Sequence, residues 1–479
     1  MIIKKISKKQ NRNRLRKSKL KTIYGGTRKD FNYISNILMG LSDRLYTVPL
    51  LKYQINQMVT NVRNVWDSVF LQKQYRLKKY TDKDIKYTLT DERNFTIKKN
   101  EEDLRFTFLE KKKIIDSIHK VKTAQIHING EIVEVNFYYD NNFNIDNLNK
   151  NIHMIITRLY NLCILFEDKK REYETWPDEL DKNPTIINAG ILNFKHDIYL
   201  YNNPRRVKLT GDNKVLLDMY HSEEACFNIP GGMTSLPEDA DGFWTINSKL
   251  EDIIGLFTHE ILHAVKFGPS GKPKKVLPKV MINDDKWQNW GRWLGEYVIN
   301  AHASIIHSYL IHFEMNISLN DSLKYELIYQ FIQTLRLGKI NGITLKNILL
   351  TDTHLTFTQK TPLFEYIYVR TLILFYYNKI SENLKSCFIN MNHGILDIFN
   401  EPCNFTDFIV DILDSPSHNE LINLLDEIDD FLNEYTSKRL PERDDVCGKA
   451  IMNYFCLDPM IIDEDKKLPA LYGGGTIYN

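Results

Sequence analysis

Cysteine is scarce in this chain. There are six in 479 residues (Cys163, Cys226, Cys387, Cys403, Cys447 and Cys456), and none stand in Cys-x-x-Cys spacing. That density excludes a disulfide-stapled scaffold. Long apolar runs are also absent. No stretch reaches the ~18–20 residues that span a bilayer; Leu363 to Tyr377 comes nearest, and Glu365 and Arg370 interrupt it. The N-terminus has no apolar segment of the secretory kind. Residues 1–29 hold twelve Lys or Arg and no acid, so the rest of the chain is net acidic, the total being +2. These absences give the expectation of a soluble, intracellular protein of a reducing compartment, with no membrane span and no classical secretion signal.

Apolar content of 43% and charged content of 26% are ordinary for a globular protein and allow a sizeable core. The pattern along the chain predicts an α+β fold, predominantly helical, in five stretches. Residues 1–30 are a basic arm, expected to be disordered because like charges repel and nothing apolar is there to bury. Residues 31–122 read as helical, starting with Ile34, Ile37, Leu38 and Leu41 at helical spacing and ending in a Lys-rich helix near 104–122. From about 123 the period changes to two around Asn129-Gly130, which predicts a hairpin with a tight turn. A helix over about 145–168 follows, then short strands in 185–202, a loop-rich segment over 203–247, a helix over 249–267, a loop over 268–288 and a helix over 289–313. Residues 316–436 read as mostly helical, and 437–479 as an irregular tail.

The helix over 249–267 contains His259-Glu260-Ile261-Leu262-His263. Residues i and i+4 lie one turn apart on one face of a helix, so both imidazoles can reach one point. Two such ligands, a third from elsewhere and a water make the open site of catalytic zinc. Glu260, beside the first histidine, is placed to act as general base toward water activated by the metal. By composition alone, about 0.02 such motifs are expected per chain of this length, so coincidence is a poor account. The plainer alternative is a core helix whose histidines bond to backbone. The apolar flanks (Ile253, Ile254, Leu256, Phe257, Val265) weigh against it, since unpartnered polar groups in such a helix are costly.

Pro269 and Lys266 stand where a third histidine and its glycine would follow in a metzincin, so the third ligand must come from further on. Glu296, on the next strong helix, is the candidate, with His302 and His307 as competitors. Asn300, at i+4 from Glu296, shares its face and can fix the tautomer of a ligand histidine. Ala303 leaves room for close packing. His302, His307 and Tyr297 are each candidates to stabilise a tetrahedral oxyanion.

His259-Glu260-x-x-His263 with Gly295-Glu296-Tyr297 resembles the zincin superfamily in its gluzincin-like arrangement. Together with CFNIPGGMTSL at 226–236, it is also similar to metallopeptidases predicted from the genomes of nucleocytoplasmic large DNA viruses, whose AT-rich codon usage the composition matches. The resemblance covers about 125–310. It implies a zincin-like catalytic domain over 123–315, with a small twisted sheet ahead of the active helix and an edge strand bordering the cleft. It further implies Zn2+ as cofactor and a peptide or protein as substrate. Two other readings stand beside this one: an inactive zincin-like scaffold, virion-associated, and a nucleic-acid-associated factor that uses residues 1–29 against an acidic surface. The Tyr-Gly-Gly elements at 24–26 and 472–474 resemble precursor cleavage sites; flexible linkers are the plainer account.

Overall fold

The computed structural model describes residues 43–70, 73–96, 118–140, 145–166, 171–175, 185–189, 191–193, 196–201, 205–209, 216–219, 227–229, 231–234, 244–247, 253–264, 280–283, 294–350, 355–358, 364–379, 411–412, 415 and 417–439. The basic arm, the two Tyr-Gly-Gly elements and most of the expected tail lie outside them. In some described elements only the backbone is given. Among the described residues, no helix is long and apolar enough to cross a membrane.

The chain starts with α1 (Pro49–Phe70), then two short strands, β1 (Tyr87–Leu89) and β2 (Arg93–Asn94). The central hairpin follows, β3 (Ile118–Ile128) and β4 (Glu131–Asp140), paired antiparallel. Its turn is Asn129-Gly130, both at positive φ, 52° and 87°. Asn-Gly tolerates that pair of angles, and the resulting turn matches the twist of the flanking strands. Next is α2 (Ile145–Phe166), with Leu148, Ile152, Ile155, Ile156, Leu159 and Leu162 all fully buried at the expected spacing.

Eight strands follow: β5 (Arg171–Thr175), β6 (Thr185–Ala189), β7 (His196–Tyr201), β8 (Arg205–Leu209), β9 (Leu216–Met219), β10 (Phe227–Ile229), β11 (Gly231–Thr234) and β12 (Trp244–Asn247). Then come α3 (Ile253–Ala264), β13 (Val280–Asn283), α4 (Leu294–Met315), α5 (Leu319–Asn341), α6 (Leu345–Leu350) and β14 (Leu355–Thr358). A π turn over Phe364–Val369 leads into α7 (Arg370–Phe375), and α8 (Asn419–Arg439) ends the described chain. Helix α5 is closed at both ends: the Ser318 hydroxyl accepts from the Asp321 amide, and Gly342 takes the left-handed conformation at φ 68°.

The described elements are mostly helical, with one small mixed sheet as the largest β element, an α+β arrangement. Strand order is β1-β3-β4-β7-β12-β11, with β2 also on β3. β4, β7 and β12 run parallel, and β11 is antiparallel to β12 at the end of the sheet. Helix α2 packs on β3, and α3 packs on β11, β12, α2 and α4. One hydrophobic core runs from Leu45 on the N-terminal side to Leu432 on α8.

Four expectations need correction. The segment 203–247, expected to be loop-rich, carries five strands, β8 to β12, each only three to five residues long and so too short for alternation to stand out. The Lys-rich segment near 104–122 is not helical in its described part, because β3 already begins at Ile118. A register shift between Ile118 and Lys120 breaks the period of two there, and Lys120 and Lys122 reach out to Glu92 and Asn149. The helical stretch 31–122 also contributes β1 and β2, both paired with β3. The expected loop over 268–288 contains β13, which pairs in parallel with β14. That partner lies more than seventy residues on, so the pairing leaves no local sign.

His196, on β7, is fully buried and donates its Nε2 proton to the Ile191 carbonyl at 2.8 Å. Burial pushes its pKa down to about 4, and the bond to Ile191 opposes this only in part. Unfolded histidine titrates near ~6.5, so the unfolded state binds the extra proton first as pH falls. Stability present above ~6.5 is therefore lost as pH drops toward about 4. The loss comes to about 3 kcal/mol over that window at ~1.4 kcal/mol per unit. In urea titrations across it, His196→Gln is expected to flatten the pH dependence by that amount; an unchanged slope would remove His196 as its source.

Candidate metal centre

Helix α3 is short and apolar. Ile254, Phe257, Ile261 and Leu262 are fully buried, and His259 lies among them at 6% exposure. Thr258, one residue before, is fully buried and donates to the Ile254 carbonyl at 2.8 Å. Helix α4 packs directly against α3. It is buried on every face from Ile299 to Leu310, although Asn300, His302, Ser304, His307 and Ser308 in that stretch are polar. Glu296 and Tyr297 lie in its first turn, and Asn300 one turn later.

The side chains of Glu260, His263, Glu296 and Tyr297 fall outside the described part of the structure; their backbones place them on the two packed helices. Asn300 is described. Its amide is fully buried, and neither its oxygen nor its nitrogen has a hydrogen-bond partner among the described residues. A buried amide of this kind needs a polar neighbour. Among the described residues, no three His, Cys, Asp or Glu side chains gather as a metal-binding group.

His302 and His307 part company. At 100° per residue, Asn300 and His307 lie within 20° of each other around α4, whereas His302 is turned well over 90° from both. His302 is buried edge-on to Trp66 and Tyr377, with ring centroids 6.3 and 6.2 Å away. The Trp66 indole donates to the Tyr377 hydroxyl at 2.8 Å, and burial pushes the Tyr377 pKa above its ordinary value. The structure thus brings His302 toward α1 and the end of α7. A role for it as metal ligand or oxyanion stabiliser would require the ring to leave that aromatic slot.

His307 instead meets Arg158, a residue the sequence reading did not single out. Arg158, on α2, is fully buried. Its Nε donates to Glu314 Oε1 at 2.8 Å, and its Nη2 to Glu314 Oε2. Nη2 also reaches the Tyr80 hydroxyl at 3.2 Å. Nη1 donates to Thr258 Oγ1 at 2.7 Å and to His307 Nδ1 at 2.8 Å. A guanidinium only donates, so His307 Nδ1 accepts and its ring proton sits on Nε2. Asn161 completes the cluster, donating to Glu314 Oε1 at 3.0 Å. Burial works against the Arg158 charge, but adjacent Glu314 and Tyr80 outweigh it and hold the pKa above the ordinary arginine value. The available sign was a charged residue beside the buried stripe of α2, four residues before Leu162.

Compared with known proteins, the chain matches no family model, no curated protein and no solved structure.

Proposed function

We propose that this chain is a zinc-dependent peptidase whose metal is held by His259, His263 and Glu296. The observation that carries the reading is the packing of α3, bearing His259-Glu260-x-x-His263, against α4, bearing Glu296, with the buried Asn300 amide, unpartnered among the described residues, one turn further on. The donor set fits zinc: two imidazoles and one carboxylate with a position left open for water. An imidazole N–H directed at the Asn300 oxygen would satisfy that oxygen and fix the ring's tautomer. Zinc, when bound, supplies Lewis acidity toward the scissile carbonyl and lowers the pKa of water toward ~7.

The chain's own residues do the rest. Glu260 takes a proton from the attacking water and hands it to the leaving amine nitrogen. Tyr297 is the remaining sequence candidate for stabilising the oxyanion from the first turn of α4. A peptide as substrate is supported by β11, the last strand of the sheet, which touches α3 and pairs only with β12 among the described residues. A strand in that position can pair backbone to backbone with an extended chain.

Purified protein is expected to contain about one zinc per chain by elemental analysis, and His259→Ala to contain almost none while keeping its circular dichroism. Folded wild-type protein that takes up no zinc from added salt would overturn the proposal.

A further inference from the structure

We propose that Arg158 is the positioning residue of this site: its guanidinium sets the roll of α3 about its own axis, and so aims the imidazoles at 259 and 263. The inference rests on the metal reading above. Arginine has five N–H donors in a rigid plane, and here each has an acceptor: the two Glu314 oxygens, the Tyr80 hydroxyl, Thr258 Oγ1 and His307 Nδ1. The acceptors lie on α3, on α4 and at Tyr80, all distant in sequence from α2. The group therefore cannot turn without breaking a bond to one of them.

Thr258 is the handle on α3. Its hydroxyl accepts from Arg158 and passes its own proton to the Ile254 carbonyl, so it too is fixed in direction. With Thr258 held, His259 lies 100° and His263 140° further round the helix, the two within 40° of one another. A roll error of about 20°, at the radius of a ring nitrogen, moves that nitrogen by about 2 Å. Zinc–nitrogen bonds are themselves only ~2.0–2.1 Å long, so such an error would uncouple one ligand. Well-packed apolar groups replacing both Arg158 and Glu314 would hold the helices together as well as the buried ion pair does. What it would not provide is a directional bond to Thr258.

Thr258→Val keeps the shape of the side chain and removes the acceptor. Metal competition with a chromophoric chelator is expected to show zinc bound at least ~10-fold more weakly than by wild type, as for lost outer partners of metal ligands. The visible band of the cobalt(II)-substituted protein should shift as well, which a merely less stable fold would not do. Thr258→Ser, which keeps the hydroxyl, should restore both affinity and spectrum. If Thr258→Val does not fold, Thr258→Ala carries the same expectation. Wild-type affinity and spectrum in the hydroxyl-less variant, or equal loss in Thr258→Ser, would overturn the positioning role while the metal reading stands. A wild-type protein without zinc affinity would overturn both.

Discussion

Glu260→Gln is expected to slow peptide hydrolysis by about 10²–10⁴-fold, the range attributed to a general acid–base group, with zinc content unchanged. The two side chains have nearly the same size, so helix α3 and its packing should survive. What is lost is the ability to accept a proton from water and return it to the amine. Glu260 lies between the two histidines on a helix whose neighbouring residues Phe257, Ile261 and Leu262 are fully buried. The comparison is made on a quenched-fluorescence peptide library, with metal analysis on the same samples. His302→Phe provides the contrast: held between Trp66 and Tyr377, it should leave turnover close to wild type. A Glu260→Gln protein as active as its parent would remove that residue from the chemistry.

Arg158→Met is expected to destabilise the fold by about 3–5 kcal/mol, the cost of leaving a buried charge without its partner. Arg158 and Glu314 are both inaccessible to solvent, with side-chain exposures of 0% each. Removing the cation strands the Glu314 carboxylate, with Asn161 as its remaining donor in the cluster. Replacing both, in Arg158→Met with Glu314→Leu, removes the stranded charge and should recover most of the loss. Urea unfolding of the two single variants and the double variant forms a cycle, and a coupling near zero would contradict the pairing. The recovered double variant separates stability from function, because it folds without the donor to Thr258.

Much of the fold can be read locally. The hairpin follows from alternation about Asn129-Gly130, and α2 from apolar residues three and four apart; both depend only on near neighbours. β1, β2 and β13 escape such reading because each is two to four residues long and has a remote partner. The site divides in the same way. Two histidines, Glu260, Glu296 and Asn300 are visible by spacing on two helices. Arg158 is not, because its five acceptors come from three separate stretches of chain that only the folded core brings together. His302 shows the limit of listing histidines: a count of rotation from Asn300 already turns it toward another face of α4.

The shared interior has a practical consequence. Trp66 and Tyr377 are hydrogen-bonded to each other, and α5 packs against both α1 and α8. A fragment trimmed to the motif-bearing middle of the chain would be stripped of its outer helices and would present bare oily surface to water. Such a piece would precipitate before it could be assayed, so any search for turnover should begin with protein that retains both flanks.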